Sequence, residues 1–272
     1  MAHVSIIIPC YNHGHFLKET LKSVAPLIQD GTANAIIVND GSDDATTMQT
    51  LAELEKAGWH IVHQENRGLA EARNTGIRLA QTPLILPLDS DNLILPDFVR
   101  QAIEWLSRSA DTDIVYSDCI VFSDTERHHT VGPFDACRLI NDNYIDACAV
   151  FRKTVWDELG GYDKNLPGMG HEDWDFWIRA LMAKKQFHYL PVAGFRYRLR
   201  DDSMLRTVTR KKGEENRQYI YAKHHEALFH SIYRNYVPAS ENYKAKYIQL
   251  QQYLRENRLV SLIKILLNRP FY

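Results

Sequence analysis

Along the first hundred residues, short unbroken apolar runs alternate with stretches whose apolar residues recur every three or four positions. The runs are Val4 to Pro9, Ala35 to Val38, Trp59 to His63 and Leu84 to Leu88. The helical spacing covers Phe16 to Ile28, Thr46 to Ala57, Leu69 to Ala80 and Pro96 to about Ser107. A strand without polar alternation is buried on both faces, and strands joined through helices run parallel. The pattern predicts an α/β fold, Rossmann-like, with a mostly parallel central sheet flanked by helices.

After residue 110 the rhythm changes. Ile114 to Phe122 alternates like a partly exposed strand, a polar segment rich in His and Asp follows, and Ala147 to Phe151 forms another short apolar run. Glu172 to Ala183 reads as a helix with Trp174, Trp177, Ile178 and Leu181 on one face, and residues from about 210 read as mostly helical. The predicted organisation is a main domain over residues 1–208 and a helical C-terminal extension over 209–272.

The 45% hydrophobic and 24% charged residues of this 272-residue chain are an ordinary globular balance. A formal net charge of -2 gives no global attraction to nucleic acid or to an anionic membrane, so any anion site must be local. Cys10, Cys119, Cys137 and Cys148 are scattered without C-x-x-C spacing, which predicts free thiols in a reducing compartment. The N-terminal apolar run lacks a basic flank and is broken by Pro9 and Asn12, so it reads as a strand and not as a signal peptide. No run reaches the ~18 apolar residues a spanning helix needs. A cytoplasmic protein is expected. In the tail, Leu259, Val260, Leu262, Ile263, Leu266 and Leu267 stand among Arg258, Lys264 and Arg269. Residues 258–270 are expected to dock on their own domain or to form a homodimer contact, with a peripheral contact at the inner membrane face as the alternative.

Ligands of open parallel sheets sit beyond the carboxyl ends of the strands. Three polar clusters fall there: Tyr11-Asn12, Asp40, and Asp89-Ser90-Asp91. Asn39-Asp40-Gly41-Ser42 is also good turn chemistry, and an isolated D-x-D is often a solvated loop. Their convergence on one crevice favours a site. Asp89 and Asp91, two apart, project to the same side if the strand geometry continues. Adjacent carboxylates repel unless a cation lies beside them, and magnesium or manganese suits such a pair. Neither G-x-G-x-x-G after the first strand nor G-x-x-x-x-G-K-[ST] occurs, which excludes the usual dinucleotide and P-loop sites.

Six ordered motifs carry a family resemblance: Val4 to Asn12, Asn39 to Ser42, Asn66 to Gly76, Asp89-Ser90-Asp91, Gly160 to Asp163, and Glu172 to Asp175. Together they resemble the family 2 glycosyltransferases with a GT-A fold. The resemblance implies that about 1–110 bind a nucleotide-sugar donor, UDP-linked by default, and that 111–208 build the acceptor side. It implies that Pro9, Tyr11, Asn12 and Asp40 frame the nucleobase and ribose, and that Arg73 and Asn74 help hold the nucleotide. Asp89, followed by Ser90, would lie near ribose and metal, and Asp91 would ligate a Mn2+ or Mg2+ ion on the diphosphate. Asp173 would be the general base of an inverting transfer to a saccharide or lipid-linked saccharide in surface polysaccharide or glycan assembly.

Plainer roles exist for several of these residues. Arg73 and Asn74 can cap a helix, and carboxylates such as Glu172 and Asp173 are favoured in a first helical turn, where the dipole should depress the pKa of Asp173. The two residues point about 100° apart, so one at most faces an acceptor, and spacing does not choose between them. Trp174 and Trp177 read as core and acceptor-cleft wall. Many relatives carry a histidine after the final Tyr-Arg pair, whereas Tyr197-Arg198-Leu199-Arg200 places arginine there. Arginine cannot ligate a cation but suits a diphosphate, so Arg200 or Arg206 would share the leaving-group charge. The competing readings are a sugar nucleotidyltransferase and a non-catalytic nucleotide-sugar-binding subunit.

Overall fold

The computed structural model describes residues 2–200 and 213–225. In its first half β1 (Val4–Cys10), α1 (Gly14–Gln29), β2 (Ala33–Asp40), α2 (Ala45–Lys56), β3 (His60–Gln64), α3 (Leu69–Leu79) and β4 (Leu84–Pro87) follow one another. These four strands pair in parallel in the order β3-β2-β1-β4. The second half runs β5 (Leu93–Ile94), α4 (Pro96–Arg108), β6 (Ile114–Phe122), β7 (Glu126–His129), α5 (Ala136–Asn141), β8 (Val150–Arg152), α6 (Lys153–Leu159), α7 (Glu172–Met182) and β9 (Phe187–Arg198). A further helix, α8, spans 213–225.

The sheet continues through β4-β8-β6-β9-β5, and β7 pairs with β6. Here the parallel rule gives way: β8 is antiparallel to both β4 and β6, and β6 and β9 run parallel with register shifts around Asp118. Parallel pairing therefore belongs mainly to the half whose strands are separated by crossover helices. The result is a mixed α/β fold with one curved sheet between two helical layers.

Alternation along each buried strand divides the core in two. Val4, Ile6, Ile8, Ala35 and Ile37 face a layer made by Leu17, Leu21 and Val24 of α1, Leu51 of α2, and Phe98 and Ala102 of α4. Ile7, Ile36 and Val38 face the other layer, with Ala72 and Ile77 of α3, Trp174 and Trp177 of α7, and Ile220 and Tyr221 of α8. Residues beyond 208, expected as an extension, thus contribute side chains to the core of the main domain. Gly76 sets how close α3 lies to β1: a Cβ there would sit 2.4 Å from the Ile7 methyl carbon Cγ2. A larger residue would push α3 outward and carry Arg73, one turn earlier, with it. Among the described residues no helix is long and apolar enough to cross a membrane. The expected tail contacts of 258–270 lie outside the described residues.

Candidate active site

The carboxyl ends of β1, β2 and β4 open into a cavity of about 440 Å³. Its lining includes Pro9, Tyr11 and His13 after β1, Asp40 at the end of β2, Asp89, Ser90 and Asp91 after β4, and Arg200 after β9. A second cavity of about 670 Å³ adjoins it and shares Leu69, Asp89 and Tyr197. The second is walled by Arg73, Arg127, His129, Arg138, Asn143, Asp146, His171, Glu172 and Asp173, among others.

Arg73 organises the junction. Its guanidinium is 2% exposed, donates to Asp89 Oδ1 at 2.7 Å through Nη2, and donates to Glu172 Oε1 through Nη1. One fixed cation therefore joins the carboxylate after β4 to the start of α7. Among the described residues Asp173 makes no such ion pair. Its Oδ1 accepts from Asn143 Nδ2 at 3.0 Å and from the Trp174 N–H at 2.8 Å. Burial, then the neighbouring Glu172 charge, push its carboxyl up to about 8 against the opposing pull of Arg73.

Crowding of like charge recurs around the junction. Asp91 is pushed up to about 6 by burial and by Asp89, although Arg200 Nε lies 3.4 Å from its Oδ2. Asp146 is pushed up to about 7, again by burial first and Asp89 second, while its Oδ1 accepts from the Cys148 N–H at 2.8 Å. The segment that carries Asn143 and Asp146 is pinned by two indoles of α7: Trp174 Nε1 donates to Leu139 O at 2.5 Å and Trp177 Nε1 to Ile145 O at 3.1 Å.

A family model described as glycosyl transferase family 2 matches residues 5–160, more than half of the chain. The chain belongs to that family. EpsH of Bacillus subtilis (strain 168), which carries a provisional glycosyltransferase name, is 27% identical over 226 residues; the match covers 76% of this chain and 64% of EpsH. A poly-β-1,6-N-acetyl-D-glucosamine synthase of Staphylococcus aureus (strain COL) is 33% identical over 102 residues, 37% of this chain and 24% of the synthase. The chain thus spans less than two thirds of either relative. Among solved structures, S. aureus TarS 1–349 in complex with UDP-GlcNAc shares the fold at a TM-score of 0.61, with 18% identity over 92% of this chain and 79% of that one. The mannosyltransferase PcManGT of Pyrobaculum calidifontis, in complex with GDP-Man and Mn2+, shares it at 0.60, with 16% identity over 97% and 84%.

In this member of the family, Pro9, Tyr11, Asp40, Asp89, Ser90, Asp91 and Arg200 come together around the first cavity, and Asp173 faces the second. Three of the expected residues are placed differently. Asn12 lines neither cavity. It adopts a left-handed φ of 56°, and its side chain donates to Asp43 Oδ1 at 2.7 Å and accepts from the Asp43 N–H at 3.0 Å, which staples the loop after β1 to the loop after β2. Asn74 points away from the first cavity: its Oδ1 accepts from the Tyr162 N–H at 2.8 Å and Trp156 Nε1 at 2.9 Å, and its Nδ2 donates to Tyr162 O at 2.8 Å. Arg73 borders the second cavity, held by two carboxylates.

Further differences concern charge and packing. The pKa of Asp173 is raised and not depressed as expected, because burial and Glu172 outweigh Arg73 and the hydrogen bond from the Trp174 N–H. Trp174 and Trp177 are fully buried and belong to the core, lining neither cavity. Asp40 lines the first cavity while both of its oxygens hold the turn into α3, accepting from Gln64 Nε2 and the N–H groups of Arg67 and Gly68 at 2.7 to 2.9 Å. Sequence reasoning missed His13, whose Nδ1 lies 3.1 Å from Ser90 Oγ and whose Nε2 lies 3.3 Å from the Arg200 guanidinium. It also missed Asn143 and Asp146, neither of which lies in a motif that could have flagged it, and it read Tyr197 only as a marker for Arg200 although Tyr197 lines both cavities. Arg206 lies outside the described residues.

Proposed function

We propose that this protein is an inverting, divalent-metal-dependent glycosyltransferase that moves a sugar from a UDP-sugar to a hydroxyl of a saccharide or lipid-linked saccharide. The observation that carries the reading is the pair of cavities meeting at Asp89: paired carboxylates at strand ends on one side, and on the other a carboxylate, Asp173, with no ion pair among the described residues. The donor would occupy the first cavity, with its anomeric carbon at the junction, and the acceptor hydroxyl would approach from the second. The UDP-GlcNAc complex of TarS favours a UDP-linked donor, and the GDP-Man complex of PcManGT supplies the competing nucleotide.

Asp173 is the better base. Glu172 is 5% exposed and its carboxylate is engaged by Arg73, so taking a proton there would cost a buried ion pair. Asp173 has no such partner among the described residues, and a carboxyl raised towards neutral pH is a stronger base than an ordinary aspartate. As the acceptor oxygen bonds to the anomeric carbon, its proton passes to Asp173. The bond from that carbon to the diphosphate oxygen breaks, and the nucleoside diphosphate leaves with the electron pair. Arg200, lining the first cavity beside Asp91, is placed to share its charge.

Asp89 and Asp91 fit a hard divalent cation, since Asp91 is a buried carboxylate beside a second negative charge. Among the described residues no cluster of three or more His, Cys, Asp or Glu side chains is arranged to hold a metal. These two residues would therefore hold Mn2+ or Mg2+ together with diphosphate oxygens and water. When bound, the ion supplies Lewis-acid neutralisation of the leaving diphosphate. The test is a screen of UDP- and GDP-sugars for binding and turnover, with manganese and with excess chelator, on the wild type and on Asp91→Asn. Binding should weaken sharply in chelator and transfer should vanish in the variant; full transfer in excess chelator removes the metal from the mechanism.

A further inference from the structure

The loop that leads into α7 is held from outside the expected main domain. Asn216 of α8 is fully buried. Its Oδ1 accepts from the Gly168 N–H at 2.8 Å, and its Nδ2 donates to Gly170 O at 2.8 Å and to Gly168 O at 3.2 Å. A single side-chain amide thus serves the backbone of 168–170 in both senses, as a neighbouring strand would.

That loop touches both cavities. Met169 lines the first, and Gly170 and His171 line the second, directly ahead of Glu172 and Asp173. Gly170 and His171 are both left-handed, at φ 85° and 70°. For a non-glycine residue this conformation is strained, and it persists only where the surroundings enforce it.

The element that carries Asn216 is itself fastened to the body of α7. Asp175, fully buried, pairs with His224 at 2.8 Å and Lys223 at 3.0 Å of α8. Tyr219 Oη donates to Asp163 Oδ2 at 2.9 Å, and Arg217 Nη1 donates to Asn141 O at 3.0 Å. So α8 grips α7 and the loop entering it at once, which fixes the direction in which the first turn of α7 presents its side chains.

We infer that Asn216 is a positioning residue for Asp173, acting by holding loop 168–171 in its left-handed entry; the inference rests on the assignment of Asp173 as base. Asn216→Asp keeps the shape and the acceptor for Gly168 but loses both donors, and Asn216→Ala loses everything. Both are made in the full chain, alone and combined with Asp173→Asn. The readouts are UDP release from UDP-GlcNAc with manganese, UDP binding, and hydrogen exchange at the Gly168 amide.

Each single variant should slow UDP release by about 10- to 100-fold, the scale of a 1 Å misplacement of a catalytic group. UDP affinity should change by less than about 3-fold, and Gly168 should exchange faster in the folded protein. In the Asp173→Asn background the same substitutions should add less than about 2-fold, the non-additivity of residues acting as one unit. Equal losses in both backgrounds, or a loss of thermal stability with turnover unchanged, would overturn the inference. Wild-type turnover by Asp173→Asn alone is a separate result: it removes the base assignment.

Discussion

Replacing Arg73 is the most severe single perturbation of the junction. Its guanidinium is 2% exposed and bonds to two carboxylates, of which the Glu172 side chain is 6% exposed and the Asp89 side chain 28%. Removing one partner of a buried ion pair costs roughly 3–5 kcal/mol, because the remaining charge stays desolvated. Glu172 accounts for most of that cost, since water can still reach Asp89. Arg73→Met, close in volume, isolates the charge effect from a cavity. For a chain of this size each kcal/mol moves Tm by about 2–4 °C, so Arg73→Met should melt about 10 °C lower than wild type at pH 7.5. The stranded carboxylates can take up protons in acid, so the deficit should shrink towards pH 5 and widen towards pH 8.5. Arg73→Lys should recover only part of the loss, because a compact ammonium cannot bridge two carboxylates as a planar fork does. The assay is denaturant unfolding followed by circular dichroism at the three pH values. A loss under about 1 kcal/mol, or one that does not vary with pH, would refute this account of the junction.

Two other outcomes follow from the same geometry. The folded-state value for Asp173, about 8, lies above its ordinary 3.8, so this group subtracts stability as pH rises through that window while the base becomes ionised. Turnover against low acceptor should therefore climb with pH to about 8, and ligand-free Asp173→Asn should gain stability relative to wild type over the same range; a flat profile in both measurements contradicts the raised value. Asn74→Ala strands the Tyr162 N–H and the Trp156 indole, and at about 1–3 kcal/mol for each unmet group it should lower stability by a few kcal/mol. Donor affinity in that variant should stay within about 3-fold of wild type in calorimetry; a large loss in a folded protein would return Asn74 to the nucleotide.

The parallel half of the fold was legible because it is locally encoded. Unbroken apolar runs such as Val4 to Pro9 and intervening amphipathic stretches specify buried strands and crossover helices without reference to anything distant. The second half depends on distant pairing. β9 is interrupted by Pro191 and Gly194, and it is defined by partners more than 70 residues earlier in β6 and about 100 earlier in β5. β5 is two residues long and has no periodicity to read. The same division holds for the site. Asp40, Asp89 and Asp91 stand at the ends of recognisable strands, and the crevice gathers them. Asp146 and Asn216 become visible only when α7 and α8 bring them beside residues distant in sequence. Arg73 and Asn74 share one motif, yet α3 turns the first towards Asp89 and Glu172 and the second towards Tyr162. The raised value of Asp173 depends on burial and on Glu172 together, neither of which a helix-terminus rule contains.

The central claim is that Asp173 takes the acceptor proton while the first cavity binds the donor independently. The decisive measurement compares Asp173→Asn and Glu172→Gln, in the presence of manganese, for donor affinity by calorimetry and for sugar transfer in single turnover. The account predicts that Asp173→Asn keeps donor affinity nearly unchanged and loses roughly 100-fold or more in transfer, the scale of a missing general base. Normal transfer by Asp173→Asn with a folded but inactive Glu172→Gln would contradict it and move the base to Glu172.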